Sequence, residues 1–214
     1  MNNSQQRILL LRVETYFTGE QMGSPPNVEG IDLGDQYELA QCDLSPYICL
    51  AIDGIADQEH LYKEKAIIES FLNLGKIVVF CGNLFRPWLP GGRSFVPRAI
   101  VDHRDYAVGN PDPAHPIFQG VRSEDMTYNK GVAGFFARGH HPLPPSATPL
   151  LTLPGGEPIT YIDRQSTSGT IVVHAGNNLF GYWSEANSSG RIGPQLMQWV
   201  QEEYRRLQEG RERV

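Results

Sequence analysis

Residues Tyr47–Phe80 read YICLAIDGIADQEHLYKEKAIIESFLNLGKIVVF. The first six, Tyr47–Ile52, are continuously apolar and stop at Asp53-Gly54. A strand that is apolar at every position, not at alternate ones, is covered on both faces. Asp57 is a good N-cap, Glu59 falls in the first turn, and Leu61, Ile67, Ile68, Phe71, Leu72 and Leu74 return at helical spacing. Gly75 supplies the stop, and KIVVF at 76–80 follows at once as a second buried strand. A parallel pair of strands needs such a crossover, so the stretch predicts a βαβ unit with its helix over 58–74.

Working outward, RILLLRV at 7–13 reads as another buried strand, and the Gly-, Pro- and Asn-rich stretch 15–34 as a loop. Between Arg86 and Arg164 proline is dense enough to exclude long helices. Short strands are expected at 106–108, 148–153 and 158–162, the last two joined by a hairpin turn at Leu153-Pro154-Gly155-Gly156-Glu157. TIVV at 170–173 is a final buried strand. A closing helix over 194–208 opens on Pro194 and carries Leu196, Met197, Val200, Tyr204 and Leu207 on one face. The reading is one α/β domain over 1–214, with a largely parallel central sheet, helices on both faces and an antiparallel C-terminal extension.

A composition of 40% hydrophobic and 20% charged residues suits a globular chain, and 214 residues can bury a sizeable core. The net charge of −6 argues against a nucleic-acid or anionic-membrane partner, although Arg86, Arg93, Arg98 and Arg104 cluster loosely. The run Ile8-Leu9-Leu10-Leu11 is too short for a signal-peptide core, and no stretch reaches a membrane span. Three cysteines without a CxxC pair point to a reducing, cytoplasmic compartment.

In an open α/β sheet, ligands bind beyond the carboxyl ends of the strands. That rule nominates Glu14 and Thr15, Asp53 and Gly54, Cys81, Gly82 and Asn83, and the stretch 174–178 with His174 and Asn177. A thiol, an imidazole, carboxylates and amides are the parts of nucleophilic catalysis, provided they meet.

Three phrases occur in a telling order: IESFLNLGKIVV at 68–79, HPIFQGV at 115–121, and ATPLL at 147–151 followed by GTIVV at 169–173. In that order they resemble the class I glutamine amidotransferase-like superfamily, over most of Arg7 to Leu207. The resemblance implies a flavodoxin-like three-layer domain, with Cys81 at the nucleophile position and His174 at the histidine position. The superfamily's G-x-C-x-G elbow and H-x-E carry small neighbours and a carboxylate. Here Val79 and Asn83 stand at the glycine positions and Gly176 at the acid. A strained elbow needs small neighbours, and an imidazole needs a group to orient it. Glu185 or Asp53 could serve only if the fold brought one of them there.

The expectation is therefore a non-catalytic amidotransferase-like interaction module, a component of a larger assembly. It would take a protein partner or small-molecule ligand at the carboxyl end of the sheet, through Glu14, Asp53, Gly82, Asn83, Trp88 and Asn177. The alternative is a cysteine hydrolase or amidase with Cys81 as nucleophile and His174 as base. Trp88, beside Arg86 in the Pro/Gly-rich stretch 85–92, reads either as an exposed interface anchor or as a cap on the sheet edge. His140-His141 reads as a surface loop, and Cys42 and Cys49 as core residues. No metal or cofactor is expected, since neither phosphate-loop glycines nor spaced ligands occur. The oligomeric state is left open.

Overall fold

The computed structural model describes residues 6–13, 28–129, 131–134, 136–183 and 185–212. Among these residues, seven strands form the main sheet: β1 (Arg7–Arg12), β2 (Ile31–Asp35), β3 (Tyr47–Ile52), β4 (Ile77–Cys81), β5 (Thr148–Thr152), β6 (Pro158–Asp163) and β7 (Thr170–His174). Their order is β2-β1-β3-β4-β7-β6-β5. The first five strands of that order are mutually parallel, and β6 runs antiparallel to both β7 and β5. The chain is thus a mixed α/β protein with a mostly parallel sheet. The helices that pack on the sheet are α1 (Gln58–Lys63), α2 (Lys65–Asn73) and α3 (Ile192–Glu212).

Parallel strands covered on both sides explain the continuous apolar runs. Ile8, Leu10, Cys49, Ala51, Val79, Cys81 and Val172 share a core with Leu196, Trp199 and Val200 of α3. Their alternating neighbours, Leu9, Leu11, Leu50, Ile52, Val78, Phe80 and Val173, share a second core with Leu61, Ile68, Phe71 and Leu72 of α1 and α2. Helices therefore lie on both faces. The long segment between β4 and β5 adds Ile117, Phe118, Met126 and Phe136 to the first core.

Several expectations need correction. The helix expected over 58–74 is broken at Glu64 (φ −92°, ψ 10°), and Leu74, placed on its buried stripe, is 59% exposed. Part of the expected loop 15–34 is the edge strand β2. The strand expected at 106–108 is instead a 3-10 turn (His103–Tyr106) followed by an isolated bridge between Gly109 and Thr152.

The connection from β2 to β3 holds only a 3-10 turn (Gln36–Glu38). A half-open groove of about 340 Å³ remains beside it, lined by Leu9, Leu11, Gly34, Glu38 and Cys42. Cys42 is accordingly half-buried, unlike the fully buried Cys49.

After β4 there is also no helix before Val96. Leu84, Trp88 and Leu89 close the second core there. Trp88 is 1% exposed, stands edge-on to Phe80 at 5.2 Å and donates from Nε1 to Gln58 Oε1 at 3.3 Å. It covers the sheet from inside, so it is not an exposed anchor.

Candidate functional site at the carboxyl end of the sheet

Strand order reverses between β1 and β3, and the residues just beyond that point are Arg12 and Asp53. Arg12 Nε lies 3.9 Å from Asp53 Oδ2, a charge contact too long for a hydrogen bond. Asp53 is 8% exposed. Burial raises its pKa, opposed by the Ile55 N–H that Oδ1 accepts and by Arg12. Glu14, nominated here with Asp53, lies outside the described residues.

The next strand end shows close backbone contact. A Cβ on Gly82 would sit 2.4 Å from Gly54 Cα, and Gly82 holds φ +140°, which side chains rarely adopt. The β3 and β4 loops therefore press together at a glycine pair. Gly82 N–H donates to the His174 carbonyl at 2.8 Å, tying in the end of β7 as well. Asn83 is exposed, and its carbonyl accepts from the buried Gln58 Nε2 at 2.8 Å. Gln58 Oε1 also accepts from the Phe85 N–H at 3.0 Å and the Arg86 N–H at 3.3 Å, so one side chain fixes the loop. His141, expected on a surface loop, is 1% exposed and accepts the Leu84 N–H on Nε2 at 3.0 Å. Burial, helped by neighbouring His140, pushes its pKa down to about 4.

Cys81 and His174 are register partners on the adjacent parallel strands β4 and β7. The fold thus brings together the two residues nominated for catalysis, but it does not couple them. Cys81 is 1% exposed, and its Sγ accepts the Leu179 N–H at 3.4 Å. Burial pushes the thiol up to about 12, the Leu179 N–H opposing weakly. His174 is wholly buried, with Nδ1 2.7 Å from Thr160 Oγ1. Its Nε2 has no hydrogen-bond partner among the described residues. Burial takes its pKa down to about 3, with His141 adding to the effect and the Phe136 and Ile159 carbonyls opposing it. A high thiol and a low imidazole both favour neutral forms, the reverse of a thiolate–imidazolium pair.

Position 176, where the amidotransferase resemblance would put the acid, cannot hold a side chain, since a Cβ on Gly176 would lie 1.7 Å from the Phe136 carbonyl oxygen. Glu185 is exposed. Asn177 is also exposed and hydrogen-bonds Tyr182, whose phenol burial pushes far above its ordinary value. Around this end, Ile55 and Phe85 are large apolar side chains left 57% and 63% exposed on the loops after β3 and β4.

The fold is not peculiar to this chain. The cytoplasmic protein STM1381 from Salmonella typhimurium LT2 superposes with a TM-score of 0.55 at 11% identity, over 90% of this chain and 99% of that one. The exo-beta-1,4-mannosidase Op5Man5 from Opitutaceae bacterium strain TAV5 gives 0.45 at 13% identity, over 93% of this chain and 35% of that one. No family model and no curated protein matches the sequence.

Gln58, Thr160, His141 and Arg12 were not nominated from sequence. The first three act through contacts from residues 14 to 57 positions away, which leave no local signal. Arg12 was within reach, being a cation at the end of an apolar strand.

Proposed function

We propose that the chain is a non-catalytic, flavodoxin-like domain of the glutamine-amidotransferase-like kind, which binds a partner protein over the carboxyl end of its sheet. The parallel order β2-β1-β3-β4-β7, with a reversal between β1 and β3, supports the fold assignment. The observation that carries the functional reading is the sealed Cys81 thiol, held neutral beside a neutral His174 with no hydrogen bond joining them. A nucleophile elbow is a strand-to-helix turn that exposes its side chain. Here β4 runs into an irregular loop and its last side chain points into the core. The exposed Ile55 and Phe85, with Asn83 and Asn177, offer a mixed apolar and polar surface suited to a protein partner.

Site-resolved alkylation tests this, with mass spectrometry following each cysteine under native conditions. Cys42, half-buried, should label first. Cys81 should label only at the rate of global unfolding, and His174→Ala should not lower its apparent pKa. Fast labelling of Cys81 that depends on His174 would restore the hydrolase.

A further inference from the structure

The two edges of the main sheet are treated differently. At β5, Pro149 removes a main-chain donor within the strand, pairing with β6 slips register, and Thr152 exchanges hydrogen bonds with Gly109 (N–H to carbonyl, 2.8 and 3.0 Å). Proline, irregular register and a covering loop are the devices that stop an edge from recruiting another strand. At the opposite edge, β2 reads Ile31-Asp32-Leu33-Gly34-Asp35, with neither Pro nor Lys, and pairs with β1 in unbroken register. Among the described residues nothing pairs with its outer side.

The Ile8 N–H donates to the Gly30 carbonyl at 2.8 Å, so main-chain groups turn toward β1 at Gly30, Asp32 and Gly34. Those of Ile31, Leu33 and Asp35 turn outward. Leu33, at the centre, is 62% exposed. We infer that β2 pairs antiparallel with β2 of a second copy of this chain, about a two-fold axis at Leu33.

Charge selects this register. Centred on Leu33, the pairing sets Asp32 against Gly34 and Asp35 against Ile31, so no like charges face each other. Centring it on Asp32 would oppose two carboxylates and turn the bonding groups the wrong way. Asp32 is in any case paired with Arg7, and Asp35 accepts the Tyr37 N–H at 2.9 Å. The Leu33 groups bond reciprocally, and each Asp35 N–H reaches the partner's Ile31 carbonyl. The Ile31 N–H is already taken by Val28 at 3.1 Å. Because β5 is blocked, β2 cannot pair head to tail with it, and assembly closes at a dimer instead of growing into a filament. A five-residue edge buries less than the roughly 1,200 Å² of a stable interface, so the dimer is concentration-dependent.

Sedimentation velocity from low to several hundred micromolar provides the first test. The wild type should shift from monomer to dimer, and Leu33→Lys should weaken association at least tenfold. In a Cys42→Ser background, Leu33→Cys should form an intermolecular disulfide under mild oxidation, because facing Cα atoms in such a pair lie about 5.5 Å apart. Leu74→Cys, similarly exposed but at the carboxyl cap of α2, should not. The crosslink also serves if Leu33→Lys disturbs folding. A wild type that stays monomeric throughout, or a dimer indifferent to Leu33→Lys and uncrosslinked at Leu33→Cys, overturns the inference.

Discussion

Replacing Trp88 with Ala should destabilise the protein by about 3–5 kcal/mol, the range for truncating a large buried aromatic. The side chain is 1% exposed, stands against Phe80 and shares the second core with Leu61 of α1. The lost hydrogen bond adds little, because Gln58 Oε1 keeps the Phe85 and Arg86 N–H donors and is not left unpaired. With an m-value of about 2–3 kcal/mol/M, the urea midpoint followed by far-UV circular dichroism should fall by about 1–2.5 M. Trp88→Phe keeps an aromatic ring in place and should recover most of the loss. A Trp88→Ala midpoint within the scatter of surface variants, about 0.5 kcal/mol, would show that residues 84–92 do not form part of the core.

Acid should destabilise the protein in two stages. Burial holds His141 at about 4 and His174 at about 3 in the fold against 6.5 unfolded, so their contribution is complete above about pH 6.5 and is lost as pH falls through about 4 and then about 3. A denaturant midpoint that stays flat from about pH 7 to about pH 5 would contradict their neutral burial. Glu203 belongs to the lower stage: burial alone would raise it, but hydrogen bonds from Arg206, Arg164 and Thr170 hold it at about 2. Its contribution is complete above about 4.5 and disappears as pH falls toward 2. Glu203→Ala should cost about 2–4 kcal/mol by thermal unfolding, below the full value for a buried pair because Arg164 and Arg206 are partly exposed and can return to water.

The inner strands were legible because a strand buried on both faces has only one composition available to it, and RILLLR, YICLAI, IVVF and TIVV all have it. The edge strand was not. Ile31–Asp35 carries two aspartates and a glycine, and only one of its sides meets another strand, so its alternation is too weak to separate from a loop. His141 was misread as a surface residue, and the exposed-anchor reading of Trp88 failed, for one reason. Proline and glycine around each suggest a surface path, while the burial comes from Gln58, Phe80 and Leu84, which local sequence does not place there. The site was legible in outline only. The strand-end rule found Asp53, Cys81 and His174, but the burial that silences the thiol and the Phe136 carbonyl that bars a side chain at Gly176 arise from distant segments.

The place of β7 in the sheet has a consequence for synthesis. It lies between β4 and β6, so the hydrogen-bonding side of β4 that faces it stays open until residues 170–174 have been made. At about 5–20 residues per second, the roughly ninety residues between them occupy the ribosome for about 5–20 s. For that interval the nascent chain presents Ile77–Cys81, an apolar and uncharged strand, with one edge unsatisfied. Such an edge recruits other chains. The half-made protein is therefore at its most aggregation-prone in the middle of translation, and slowing the ribosome over residues 82–169 should lower the soluble yield without altering the finished fold.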